Sequence, residues 1–415
     1  MTESFSHLRV NADRMLAAFN QLASIGATGD GGVSRVTFSE AHIAARKWFR
    51  NEIENSELEF RMDGAGNHSA FLNCGIKDAP TLLFGSHLDS VPNGGRFDGA
   101  LGVMAAFEVL RTIKENRINL KLNLEAIDFT DEEGTHIGLL GSSALAGHLD
   151  ENQLQNPSGG REKLASGMTR ARLSDESMLS AARSKESLVG YLELHIEQGK
   201  RLERAGIDIG IVSAIVGYGS YHLSFIGRAD HAGSTSMEDR LDAGQGASAF
   251  TLTVRETVMR DFPNCVANVG KMDFVPGVSN IVPARVDPLL EFRSPDENQL
   301  SQLDTALIKL AQAAAERFSL ELLFEPFNKH APNLMSEDFQ KLFKGSCDAL
   351  GLSSVVLASG ALHDAQSLVD LCPIGMIFVP SVGGASHAPR EFTKWDDCVN
   401  GANVLLQTVL QLAHL

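Results

Sequence analysis

The chain has 415 residues, 43% hydrophobic and 21% charged, the balance of an ordinary globular protein with core enough for roughly two or three domains. Its net charge of −16 argues against nucleic acid or an anionic membrane as the main partner. No apolar run approaches a membrane span, residues 1–15 lack the apolar core of a signal peptide, and the five cysteines are scattered without a CxxC pair, so a reducing, cytoplasmic location is expected.

In chain order, residues 8–24 and 38–55 carry apolar positions at helical spacing, the second stretch following the helix-start signal Ser39-Glu40. From about residue 58 the pattern becomes strand-like around the turn Asp63-Gly64-Ala65-Gly66-Asn67. The apolar run 81–84 reads as a buried strand that brings His87 and Asp89 to its carboxyl end. A Gly-rich loop, Asn93-Gly94-Gly95, then carries Asp98 to a helix beginning near Gly99. A second strand, 120–129, ends on the carboxylates Asp131-Glu132-Glu133. Alternating strands and helices imply a largely parallel sheet, and in such sheets ligands bind at the carboxyl ends of the strands. Residues 150–190 read as irregular surface helices. The segment 193–205 reads as a helix closed by Gly206, which sets His195 on a helix.

The character changes near residue 212. Strand signals over 210–227, a helix around 239–260, strands at 264–274 and 284–292, a long helix over 297–318 and a strand at 320–327 give the β-α-β-β-α-β order of a ferredoxin-like unit. After residue 329 the α/β character resumes, with strands near 353–358 and 374–379 and a closing helix near 395–413. The expected organisation is a discontinuous α/β catalytic domain, 1–211 plus 330–415, with a smaller α+β domain, 212–329, inserted.

One imidazole and several carboxylates converging at strand ends suggest a site for divalent cations. Catalytic zinc sites use histidine and carboxylate ligands with an open position for water, and paired metals share a bridging carboxylate. His87, Asp98, Glu133, His195 and His387 supply suitable groups. Asp89, two residues after His87, can orient its imidazole, and Glu132 is left free beside Glu133 as a general base. Each element has a bland alternative: a lone HxD at a strand end, a solvated acidic turn, an ordinary histidine at 195 or 387. The joint occurrence of the first three, at the ends of successive β/α units, outweighs the bland account, while His387 taken alone is uninformative.

These residues resemble the dinuclear-metal amidohydrolases and peptidases of the M20 family, and within it the branch of N-carbamoyl-L-amino-acid amidohydrolases, allantoate amidohydrolases and β-ureidopropionase. The likeness runs nearly the whole length. It includes Gly31-Gly32-Val33-Ser34-Arg35, Gly85-Ser86-His87-Leu88-Asp89-Ser90, Arg96-Phe97-Asp98-Gly99, Leu194-His195-Ile196-Glu197-Gln198-Gly199, His231-Ala232-Gly233-Ser234-Thr235, Val275-Pro276-Gly277-Val278-Ser279-Asn280 and Ser386-His387-Ala388. Histidine at 195 marks the amidohydrolase branch, since peptidases of the wider family carry an acidic ligand there. The resemblance implies a di-metal exopeptidase-like catalytic domain and an inserted lid and dimerisation domain. One metal would be held by His87, Asp98 and His195 and a second by Asp98, Glu133 and His387, with Asp98 bridging. The ions would be zinc, or manganese, cobalt or nickel, with Glu132 the general base.

The same resemblance puts Gln198, Gly360 and Leu362 along the substrate and brings His231, Asn280 and Arg293 over it, His231 reaching a neighbouring subunit's site in a homodimer. Arg293 would clamp a substrate carboxylate; its bland alternative is an ion pair with Glu291 or Asp296. Three positions depart from the branch. Leu362 stands where glycine is common, Thr135-His136 where the second residue is commonly arginine, and Ser236 where proline is usual. The leading expectation is hydrolysis of a linear ureido C–N bond, an N-carbamoyl-L-amino acid giving L-amino acid, ammonia and carbon dioxide. The alternative is allantoate hydrolysis, ahead of a peptidase or N-acyl amino acid deacylase and of an inactive, metal-bound ligand-binding protein. No Gly-x-Ser-x-Gly elbow supports a serine hydrolase.

Overall fold

A computed structural model describes residues 5–414; residues 1–4, at the head of the stretch read for a leader, and residue 415, at the end of the carboxyl-terminal segment, lie outside the described residues. The chain divides into two compact units, 1–213 with 334–357 and 361–415, and 214–333 with 358–360.

The first unit opens with helices Ala12–Ser24 and Glu40–Asn55, the second capped by Ser39, whose side chain accepts the His42 N–H. Strands β1 (Glu59–Met62), β2 (His68–Leu72), β3 (Thr81–His87), β4 (Asn123–Phe129), β5 (Leu188–Ile196) and β6 (Ile209–Ile215) follow. The second unit holds β7 (Gly217–Ile226), β8 (Val266–Val275), β9 (Arg285–Ser294) and β10 (Glu321–His330). The chain then adds β11 (Asn333–Leu334), β12 (Ser354–Ser359) and β13 (Ile374–Val379) to the first sheet.

That sheet runs β1-β2-β4-β3-β5-β13-β6-β11, with β12 also paired to β6. Its middle strands β4, β3, β5 and β13 are mutually parallel, while β2 and β6 join them antiparallel. The fold is therefore a mixed α/β one built on a parallel central sheet. Every residue of β3, β4 and β13 is buried, as both faces are covered. One cover is the helix Ala100–Glu115, buried all round from Ala100 to Ile113. Gly102 lets it approach closely: a Cβ there would lie 2.5 Å from the Leu194 carbonyl. In the second unit β7–β10 form an antiparallel sheet in the order β10-β7-β9-β8, a ferredoxin-like arrangement. Residues of β9 alternate in burial, and its inward face packs on helices Ala243–Asp261 and Glu297–Arg317.

One sequence reading is corrected. Residues 193–205 are not a helix: β5 runs to Ile196, and only Arg201–Ala205 is helical, closed by Gly206 in the left-handed conformation. His195 is a strand residue. Along Leu192-Glu193-Leu194-His195-Ile196 apolar and polar residues alternate; Leu192, Leu194 and Ile196 join the main core, while Glu193 and His195 face the opposite side. Burial of this strand on both faces hid an alternation that the Glu-Gln-Gly-Lys-Arg tail then extended into a false helical pattern.

A polar residue inside β4, Asp128, ties the sheet to the helix Glu40–Asn55. Asp128 accepts from Arg46 Nε at 2.8 Å and from the Leu88 N–H at 2.8 Å, directly beside His87. Arg46 also donates to the Gly66 and Phe129 carbonyls, each at 2.9 Å. Both side chains are buried. Removing one partner of a buried pair strands the other charge, at a cost of about 3–5 kcal/mol. Arg46→Met should therefore move the urea unfolding midpoint well down; an unchanged midpoint would show that the pair contributes nothing net.

Candidate metal centre

Four adjacent parallel strands bring the site together. β3 ends on His87, β4 leads into Glu132 and Glu133, β5 carries His195 next to its last residue, and the loop after β13 carries His387. Register pairs His87 with Phe129, and Phe378 with His195, so these strand ends lie level. Asp98 arrives from the loop after β3, one residue before Gly99 caps the buried helix. Gly99 is required there: its φ is +60°, and a Cβ would run into the His87 ring.

Asp98 is the shared element. Its Oδ1 lies 3.0 Å from His195 Nε2 and 3.7 Å from His87 Nε2. Its Oδ2 lies 3.4 Å from His387 Nε2, which is also 3.4 Å from Glu133 Oε2. Two groups result, His87–Asp98–His195 and Asp98–Glu133–His387, with the ligand atoms of each within 4.8 Å of one another. The structure thus brings together all five residues read from the sequence as ligands.

The donor set fits divalent cations. Nδ1 of His87 lies 3.1 Å from the Asp89 carbonyl and Nδ1 of His195 lies 2.9 Å from the Ile196 carbonyl. Donating there would let each Nε2, which faces Asp98, give up its proton and turn a lone pair to a cation, the usual arrangement of a ligating histidine. The His87 Nε2 is buried without a hydrogen-bond partner among the described residues, as expected of a ligand atom. Mixed imidazole and carboxylate donors suit zinc, manganese, cobalt or nickel. A third group, Glu193–His195–His363, shares His195, whose two ring nitrogens already face Ile196 and Asp98. It lies behind the first group rather than forming a separate centre.

Electrostatics follow from so many buried carboxylates. Burial would raise Asp98, but hydrogen bonds from His195 and His387 win and hold it well below the usual range. Burial, with Asp364 and Glu133 alongside, drives Glu132 well above it, against the pull of His87. Burial and the Asp98 charge push Glu133 up to about 7. The hydrogen bond to Asp98, against burial and helped by Glu133, pushes His387 up to about 9. Glu132 Oε2 lies 3.5 Å from His87 Nε2, beside the first group.

Neighbouring residues fix this arrangement. The Asp89 carboxylate lies 3.6 Å from His87 Nδ1 and accepts instead from the Thr37 hydroxyl at 2.9 Å and the Glu133 N–H at 3.2 Å. Asp131, first of the acidic run, turns inward to accept the N–H groups of Thr135, His136 and Ile137 and shapes the turn. Gln198 donates to Asp98 Oδ2 at 2.9 Å, and Ser386 does so at 2.8 Å. Sequence reading missed Glu391, which accepts the N–H groups of Phe97 and Asp98 at 2.8 and 3.0 Å. Its one sequence signal is a carboxylate four residues after His387. Also missed were the buried Glu193, His363 and Asp364 beneath the site.

His231, Asn280 and Arg293 belong to the second unit. His231 pairs with Ile281 in an isolated antiparallel bridge, and the Asn280 carbonyl accepts the Ala232 N–H at 3.0 Å, so their loops run side by side. His231 Nδ1 accepts the N–H groups of Gly233 and Ser234 at 3.1 and 3.2 Å. Arg240, not singled out from the sequence, braces this turn through the Ala232 and Thr235 carbonyls. Arg293 makes the ion pair with Glu291, at 2.8 Å, and donates to the Gly360 carbonyl at 2.7 Å. Leu362 is half-buried in the first unit.

A proton balance tests the centre. An imidazolium at His387 and a protonated Glu133 must both lose protons before they can ligate a cation. Cation affinity should therefore rise as pH increases from about 6 to about 9, the window set by Glu133 near 7 and His387 near 9. Calorimetry at pH 7 in buffers of differing ionisation enthalpy should register proton release on binding; pH-independent affinity would contradict the assignment of these two ligands.

Residues 83–411 match the sequence profile of peptidase family M20/M25/M40. The chain is 36% identical to an N-carbamoyl-L-amino acid amidohydrolase of Geobacillus stearothermophilus, over 98% of this chain and 99% of that one. It is 32% identical to an allantoate amidohydrolase of Bacillus subtilis, over 95% and 96%. A hydantoinase/carbamoylase family amidase from Burkholderia ambifaria, a solved structure, aligns with a TM-score of 0.90 at 28% identity over 98% of both chains. With imidazole and carboxylate groups clustered at the ends of its parallel strands and a matching profile over most of its length, the chain belongs to peptidase family M20/M25/M40.

Proposed function

We propose that this protein hydrolyses a linear ureido C–N bond, converting an N-carbamoyl-L-amino acid to the L-amino acid, ammonia and carbon dioxide. The observation that carries the proposal is the shared Asp98, one oxygen facing each group of ligands, with Glu132 Oε2 3.5 Å from His87 Nε2. Relatives carrying the amidohydrolase names support the substrate class.

In this reading two divalent cations would be held, one by His87, Asp98 and His195 and the other by Asp98, Glu133 and His387. Bound there, they supply Lewis-acid polarisation of the ureido oxygen and make a water acidic enough to lose a proton near neutral pH. Glu132 takes that proton as the water attacks the carbamoyl carbon, then delivers it to the leaving nitrogen as the C–N bond breaks; the carbamic acid left on the other side of that bond falls apart to carbon dioxide and the second nitrogen product. Its elevated pKa suits both halves of the transfer. Because His231 Nδ1 accepts two backbone N–H groups, the neutral ring carries its proton on Nε2, a donor for the developing oxyanion. Asn280 donates to the same region of the substrate. Arg293, its fork preset by Glu291 and the Gly360 carbonyl, binds the substrate carboxylate. Gln198, Gly360 and Leu362 line the substrate, and the second unit acts as lid and dimerisation domain of a cytoplasmic homodimer. Allantoate is the alternative substrate, since it too presents a carboxylate and a ureido group and a relative is named for it.

Ammonia release from N-carbamoyl-L-amino acids and from allantoate, assayed side by side on metal-loaded protein, separates the two. Glu132→Gln should lower turnover by roughly 10²–10⁴-fold with metal content unchanged, the range for a lost general base. Arg293→Ala removes a charged hydrogen-bonding partner worth about 1.5–3 kcal/mol, so KM should rise roughly 10- to 100-fold with little change in kcat. No ammonia from either substrate would sink the ureido reading.

A further inference from the structure

Glu391 lies on the loop that follows His387 and is buried, with only 3% of its surface exposed. Its Oε1 accepts the N–H groups of both Phe97 and Asp98, at 2.8 and 3.0 Å. Its Oε2 lies 3.1 Å from Ser386 Oγ, which in turn lies 2.8 Å from Asp98 Oδ2. Its own N–H donates to the Ala388 carbonyl at 2.9 Å, closing the turn 388–391 that directly follows His387. No arginine or lysine pairs with it among the described residues. A buried carboxylate without a cationic partner is costly, and here the two N–H bonds it accepts from the Asp98 loop offset part of that cost. The opposing loop is built to receive it: a Cβ on Gly95 would occupy the space of the Glu391 carboxylate. Phe97 and Phe392 meet edge to face at 5.9 Å beside the same junction.

We propose that Glu391 is a positioning residue of the metal centre: its carboxylate joins the backbone of Asp98 to the turn of His387 and so sets the spacing of ligands far apart in sequence. This rests on the metal reading above and not on the choice of substrate. The residue acts through Asp98 and His387 and needs no contact with the cations or the ureido group.

The test is a cobalt(II) titration of metal-stripped, full-length protein, followed by calorimetry and by visible absorption, for the wild type, Glu391→Ala, Glu391→Gln and Gly95→Ala. Loss of an outer partner of metal ligands typically weakens affinity roughly 10- to 100-fold, and Glu391→Ala should fall in that range with an altered cobalt spectrum. Gly95→Ala, which leaves the carboxylate but takes its space, should shift affinity and spectrum in the same direction. Glu391→Gln should stay within a few-fold of the wild type, because its amide oxygen can accept the same two N–H groups and its NH2 can donate to Ser386. A folded Glu391→Ala with wild-type affinity and spectrum would overturn the proposal; should that variant fail to fold, unchanged cobalt binding by Gly95→Ala would do so. Wild-type protein that binds no cobalt would sink the metal reading and this inference together. Cobalt binding without ureido turnover would touch only the substrate reading.

Discussion

Asp98 offers one oxygen to His87 and His195 and the other to His387, and it does so in a volume that also holds Glu132, Glu133, Asp89, Glu193 and Asp364. Packing this much potential negative charge out of water is unfavourable unless positive charge is brought in or protons are retained. The protein's own histidines meet part of the demand, and raised carboxyl groups such as Glu132 and Glu133 show that it is not fully met. A site arranged in this way is predisposed to take up cations. The surrounding devices, Asp89 on the Glu133 N–H and Glu391 on the Asp98 N–H among them, keep the carboxylates converging despite their repulsion.

The parallel strands make the convergence possible. Strands that run in one direction end at one edge, so each can contribute a side chain to the same place without long loops. This explains which parts were legible in the sequence. The apolar run into His87 and the acidic run after β4 are local patterns, and they announce both the strands and their functional ends. His195 was legible as a member of the cluster through its motif yet misplaced onto a helix, because β5 is buried on both faces and its alternation of Leu, Glu, Leu, His and Ile is too short to stand out. Glu391 was not legible. Its role depends on backbone N–H groups across a sequence separation of 294 residues, and no spacing rule describes such a contact. Gly95 carried a trace of it, as a glycine where a side chain would collide with a distant residue.

The second unit presents a different logic. Its residues of interest are held by tautomer and fork geometry rather than by buried charge. The turn after His231 commits one ring nitrogen to accepting, which determines where the neutral ring keeps its proton. The Glu291–Arg293 ion pair is, on its face, the ordinary surface pair that a sequence reader would suspect. With one carboxylate and one carbonyl fixing the guanidinium plane, it also leaves donors available on a preset surface.

The place of β13 has a consequence for synthesis. It lies between β5 and β6 in the sheet, yet it is made only after the whole second unit has been translated. At roughly 5–20 residues per second, the edge of β5 waits on the order of ten seconds or more for its native neighbour to leave the ribosome. An unpaired edge is a template for wrong pairing. The growing chain thus carries an open seam next to the strand that holds Glu193 and His195, and the same late segment that closes the seam also brings His387 and Glu391. Completion of the sheet and completion of the cation site become a single late event in the life of the nascent protein.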